Sequence, residues 1–124
     1  MKRVLVVDDS RTSRRILKDI LDKAGYEVTG EAINGKEAVE LYDRLLPDVV
    51  TMDITMPEMD GIEALKQIRK AHPDAVIIMV TAAGQKEKMM EAVKLGAAEF
   101  VAKPFVEETV LEALEHVAAE QAKG

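Results

Sequence analysis

The sequence predicts an α/β fold, a (βα)5 doubly wound sheet of five parallel strands, and three observations carry the prediction. Five short β-branched runs alternate with five segments whose apolar residues recur at helical spacing. Runs such as Val4–Val7 and Val76–Val80 are apolar almost without a break, the pattern of strands covered on both faces and hence of a parallel sheet. Every connection is short, and no linker, repeat or low-complexity tract interrupts the 124 residues, so one domain over 1–124 is expected.

Taken in order, the first strand is Arg3–Val7, ended by two aspartates. Ile16, Leu17, Ile20, Leu21 and Ala24 then form an apolar helical stripe, with Gly25 as the C-terminal cap candidate. The second strand spans Tyr26–Ile33, and the next helix carries Ala38, Val39, Tyr42 and Leu45 before Pro47 stops it. The third strand is Asp48–Met52, followed by a helix with Ile62, Leu65 and Ile68 that closes before Pro73. The fourth strand, Val76–Val80, leads to a helix with Met89, Met90, Ala92 and Val93 that ends at Gly96. The fifth strand is Glu99–Ala102. The last helix has Val110, Leu111, Leu114, Val117 and Ala118, and its tail Glu120–Gly124 is expected to fray.

Composition excludes several functions. With 17 basic against 23 acidic residues the net charge is −6, which disfavours nucleic-acid binding. The longest apolar runs are too short to span a bilayer. Lys2 and Arg3 precede only Val4–Val7 before acidic residues intervene, so no signal peptide is read and a cytoplasmic location is expected. No cysteine is present, so disulfides and thiolate metal sites are excluded. His72 and His116 lie without ligand-like company and read as solvated or capping residues. The methionines at 52, 56, 59, 79, 89 and 90 read as core or interface fill.

In an open parallel sheet, ligands bind outside the carboxyl ends of the strands. The residues there are Asp8-Asp9-Ser10, Asp53, Thr81-Ala82-Ala83 and Lys103-Pro104. Taken singly, Asp9 reads as a helix cap or turn residue, Thr81 as a helix cap and Lys103 as a solvated surface residue. Taken together, reactive types fill successive strand ends on the binding rim. Three carboxylates so close repel one another, and Lys103 offsets only one charge. A hard divalent cation neutralises the rest: Mg²⁺ takes one or two carboxylates and keeps exchangeable waters. Asp8 or Asp9 would be a ligand, directly or through water, while Asp53 would be ligand and nucleophile together. Phosphoryl transfer needs positioning and charge neutralisation above all, which the Thr81 hydroxyl, the Lys103 ammonium and the metal would supply beside the small Ala82.

Val6-Val7-Asp8-Asp9-Ser10, Met52-Asp53-Ile54-Thr55-Met56-Pro57-Glu58-Met59-Asp60-Gly61, Val80-Thr81-Ala82 and Lys103-Pro104-Phe105 resemble the receiver domains of two-component response regulators. The likeness runs over essentially the whole chain, and the stand-alone chemotaxis regulators share it most fully. The resemblance implies a flavodoxin-like sheet of order 2-1-3-4-5. It implies that Asp53 accepts a phosphoryl group from a histidine kinase, with Mg²⁺ (or Mn²⁺) held by Asp8, Asp9, Asp53 and the Thr55 backbone carbonyl. Thr81 and Lys103 would bind phosphoryl oxygens, and the Lys103-Pro104 bond would be cis. Thr81 would then move inward with the aromatic at position 100 behind it, reshaping the docking face of the fourth helix, fifth strand and fifth helix. That aromatic is Phe100, where the motor-binding regulators commonly carry tyrosine. A monomeric phosphoacceptor that assists its own phosphorylation and dephosphorylation is the leading reading. The alternatives are a receiver cut from a DNA-binding regulator and an aspartyl-phosphate phosphotransferase or phosphatase. The last of these needs a cap domain or long insertion, which the short connections do not provide.

Overall fold

The computed structural model describes residues 2–122. Its elements alternate strictly: β1 (Arg3–Val7), α1 (Arg11–Lys23), β2 (Glu27–Ala32), α2 (Gly35–Leu45), β3 (Val49–Asp53), α3 (Gly61–Ala71), β4 (Ile77–Thr81), α4 (Lys86–Lys94), β5 (Glu99–Ala102) and α5 (Glu107–Ala122). The strands form one parallel sheet in the order β2-β1-β3-β4-β5. The α/β reading and its strand order therefore hold.

Two apolar clusters pack on opposite faces of the sheet, because successive strand residues point to opposite sides. Leu5, Val7, Val50, Met52, Ile77 and Met79 meet residues of α2, α3 and α4. Val4, Val6, Val49, Ile78 and Val101 meet Leu17 and Leu21 of α1 and Val110, Leu114 and Val117 of α5. β1, β3 and β4 are thus covered on both sides, as their unbroken apolar runs require.

Capping chemistry sets the boundaries, and it shifts several of them by a residue. Gly25 takes φ +86, with its N–H on the Asp22 carbonyl and that of Tyr26 on Leu21, which closes α1 and keeps Tyr26 out of β2. At the other end of β2, the Ile33 N–H goes to Glu37 Oε1 while the Glu37 N–H goes to Asn34 Oδ1; this reciprocal cap opens α2. Asp48 precedes β3 and clasps Arg3 twice, its N–H donating to the Arg3 carbonyl at 2.9 Å and its Oδ2 accepting from the Arg3 N–H at 2.7 Å. β3 and β4 each run one residue further than their sequences suggest, because Asp53 pairs with Val80 and Thr81 with Ala102. The C-terminal tail is helical through Ala122, with Gln121 Oε1 accepting from Lys2 Nζ at 2.8 Å; Lys123 and Gly124 lie outside the described residues. Two apolar stripes are less covered than their spacing implies. Ile16 is half exposed because α1 meets the sheet through Leu17 and Leu21, and Met90 and Val93 of α4 face outward while Ala92 faces in.

Candidate functional site

β1 and β3 are adjacent at the centre of the sheet, so their C-terminal ends lie side by side. Asp8 follows β1 directly and extends the ladder through its N–H to the Ala32 carbonyl at 3.0 Å. Asp53 is the last residue of β3 and Thr81 the last of β4. The Lys103 N–H donates to the Thr81 carbonyl at 2.8 Å, fixing the residue after β5 against the end of β4. The Lys103-Pro104 peptide is cis. Gly61 lets the start of α3 close onto β3, since a Cβ there would sit 2.0 Å from the Asp53 carbonyl oxygen. Its N–H bonds the Ile54 carbonyl at 2.7 Å.

Asp8 and Asp53 are buried and Asp9 is exposed. One carboxylate oxygen from each lies within 4.8 Å of the others. Lys103 Nζ stands 2.8 Å from Asp8 Oδ2 and 3.4 Å from Asp53 Oδ2. The ammonium is therefore shared but sits closer to Asp8, whose Oδ1 also accepts from the Ser10 N–H at 2.9 Å. Asp53 is the less compensated of the two. Burial, and then the Asp8 charge, push its carboxyl up to about 6 from an ordinary 3.8, with Asp9 adding to the rise and Lys103 only partly opposing it. Burial alone would pull the Lys103 ammonium down, but its bond to Asp8 and the charges of Asp53 and Asp8 raise it on balance. An under-compensated, oxygen-only donor set suits a hard divalent ion, so the residues present fit Mg²⁺.

Neither helix-cap alternative holds, although Asp9 does lie in the bend between β1 and α1. Ser10, not Asp9, caps α1, its Oγ accepting from the Ser13 N–H. Gln85, not Thr81, occupies the N-cap position of α4. Lys103 is ion-paired rather than merely solvated. Phe100 is half-buried against the cluster on the α2, α3 and α4 side, opposite Val101 as strand alternation requires. Each histidine lies against a carboxylate, His72 Nε2 at 2.6 Å from Asp43 and His116 Nδ1 at 2.7 Å from Glu99, and His72 ends α3.

Three neighbours of the site carry no strand-end signal in the sequence. Arg14 Nη1 donates to the Asp8 carbonyl at 2.8 Å. Asn34 Nδ2 donates to Glu58 Oε2 at 2.8 Å, holding a residue of the β3–α3 loop that adopts φ +67. Gln85 bridges the Ala82 N–H and the Thr55 hydroxyl.

A doubly wound sheet with acidic residues at the ends of β1 and β3 and a lysine after β5 defines a class, and the sequence pattern of the response regulator receiver domain matches residues 4–115. The chain belongs to that family. Among its relatives, the chemotaxis protein CheY of Thermotoga maritima is 59% identical over 116 residues, covering 94% of this chain and 97% of that one. CheY of Bacillus subtilis is 53% identical over 112 residues, covering 90% and 93%. The solved structure of a CheX–CheY–BeF3–Mg²⁺ complex from Borrelia burgdorferi superposes with a TM-score of 0.90 at 36% identity, covering 94% of this chain and 88% of that one. Among the described residues, no helix is long and apolar enough to cross a membrane.

Proposed function

We propose that the chain is a CheY-type response regulator of chemotaxis whose phosphoacceptor is Asp53. The observation that carries this reading is the electrostatic asymmetry of the site: Asp53 is buried, under-compensated and central, while Lys103 sits closer to Asp8. An Asp53 carboxylate oxygen attacks the phosphorus of a phosphohistidine. The P–N bond breaks, the imidazole nitrogen keeps the electron pair, and an acyl phosphate forms on Asp53. The attacking group must be ionised, and a divalent cation bound to the same carboxylates would favour that form over the protonated one. Asp8, Asp9, Asp53 and the Thr55 carbonyl would hold the divalent cation, which when bound neutralises charge on the transferring group. Thr81 and Lys103 donate hydrogen bonds to phosphoryl oxygens.

The signal then passes to Phe100, which follows the displaced Thr81 and alters the α4, β5 and α5 face where the target docks. Phenylalanine has no hydroxyl to satisfy, so its inward state has measurable basal population. The donor is a histidine kinase of the CheA type, and the protein works in the cytoplasm as a monomer without touching nucleic acid or membrane. Its net charge of −6 accords with that. Incubation with acetyl phosphate and Mg²⁺, followed by intact-mass measurement, tests the acceptor. One phosphoryl group should be added to the parent and none to Asp53→Asn. Equal labelling of the asparagine variant would refute the assignment.

A further inference from the structure

Gln85 occupies the N-cap position of α4, yet its carboxamide does not cap the helix. Its Oε1 turns back to accept from the Ala82 N–H at 2.6 Å, and its Nε2 reaches across to donate to the Thr55 hydroxyl at 2.8 Å. One side chain thus joins the loop after β4 to the loop after β3, two residues beyond Asp53 on one side and one residue beyond Thr81 on the other. Ala82, Ala83 and Gly84 are exposed, and Gly84 turns with φ +84 into open space, so burial does little to hold this loop.

We propose that Gln85 is a latch that holds the β4–α4 loop in its resting position and sets how readily Thr81 moves toward a phosphorylated Asp53. The inference rests on the receiver reading given above. Thr81 and Ala82 are contiguous, so Thr81 cannot travel without carrying the Ala82 N–H along. A hydrogen bond loses most of its strength once its donor and acceptor part beyond about 3.5 Å. Movement of Thr81 therefore breaks the Ala82–Gln85 bond or drags Gln85 away from Thr55. Both bonds stabilise the resting state alone, so removing them shifts the two-state balance toward the active one. Gln85 is a positioning residue in this scheme and touches no reacting atom.

Beryllofluoride, which mimics a phosphoryl group on Asp53, is the probe. Its apparent affinity at saturating Mg²⁺ is read from the bound ¹⁹F signals. Gln85→Ala should bind it about three- to tenfold more tightly than the parent, the range for losing one or two modest hydrogen bonds of the resting state. Gln85→Asn, whose arm is one methylene too short to span both loops, should behave alike. Affinity for Mg²⁺ alone should not move, whereas general loosening of the site would alter both. Thr55→Val should give part of the gain, and adding Gln85→Ala to it should fall short of the sum of the two single effects. Unchanged or weaker beryllofluoride binding in Gln85→Ala, strict additivity with Thr55→Val, or a parallel change in Mg²⁺ affinity would each overturn the latch. Parent protein that takes up no beryllofluoride would overturn the receiver reading and the latch together, whereas uptake insensitive to Gln85 overturns the latch alone.

Discussion

Removing the charge of Asp53 should stabilise the metal-free fold. The Asp53 carboxyl is raised from 3.8 to about 6, a rise of about two pH units that costs roughly 3 kcal/mol when the group is ionised. The site mouth admits solvent, and screening reduces that to about 1–2 kcal/mol. The contact with Lys103 at 3.4 Å opposes this cost but is outweighed, since the carboxyl is raised in spite of it. Asp53→Asn keeps the shape and deletes the charge. Because the folded value lies above the unfolded one, the native parent holds a proton that the unfolded chain has already released. The parent therefore loses stability as pH rises from about 4 to about 6 and stays at the lower level above that. In chelator at pH 7.5, the variant should melt about 4–8 °C higher, and the gap should close toward pH 4. Circular dichroism serves as the readout, since the chain has no tryptophan. Added Mg²⁺ should raise the parent more than the variant. An asparagine variant no more stable than the parent at pH 7.5, or a gap that widens on acidification, would refute the electrostatic reading of the site.

Millimolar Mg²⁺ should raise the melting temperature of the parent, by roughly 1.4 kcal/mol of stability at ten times Kd, and Asp9→Ala should weaken that response in the same titration. Thr51 is buried and its hydroxyl has no partner among the described residues; it borders an apolar cavity of about 10 Å³ among Leu17, Ile78, Val80, Phe105 and Leu114, which offer a water no polar contacts. Thr51→Val should stabilise the fold by about 1 kcal/mol in urea denaturation while leaving acetyl-phosphate labelling unchanged. Gly61→Ala should cost about 2–3 kcal/mol or more and slow labelling, because the new methyl meets the backbone of Asp53 and Ile54, which cannot swing aside as a side chain would.

Most of the site is legible in the sequence because a parallel sheet converts position along the chain into position on a rim. Asp8, Asp53, Thr81 and Lys103 can be placed together without knowing any contact, once the strands are found. The electrostatic difference between Asp8 and Asp53 is not legible: both are strand-end aspartates, and only the placement of Lys103 Nζ makes one better compensated. The same limit applies to helices. The stripe of α4 marks Met89, Met90, Ala92 and Val93 as one apolar side, but spacing does not reveal how little of that side the sheet covers. Thr55 and Ala83, each two residues past a strand-end site residue, carry no amide of their own, yet the carboxamide of Gln85 reaches Thr55 from thirty residues away. A glutamine at a helix start ordinarily signals nothing more than a polar surface position. Its folded-back rotamer, like the long-range tie from Asn34 to Glu58, is a tertiary event with no periodic signature.

The thin anchorage of α4 also bears on how order is distributed through the molecule. Val4–Val7 of β1 and all of β3 and β4 are enclosed, so their amides should exchange last, through global unfolding. α4 buries only Ala92 completely and follows an exposed loop, so its amides should exchange through a local, low-energy opening. Asp53, the proposed acceptor, therefore sits on one of the enclosed central strands, and the surface beside it belongs to a thinly anchored helix. Such a division would let the proposed covalent change at a rigid centre be expressed as a redistribution among nearby, easily populated arrangements of α4. The frame that holds the carboxylates need not deform, and the same scaffold can present more than one surface at little thermodynamic expense.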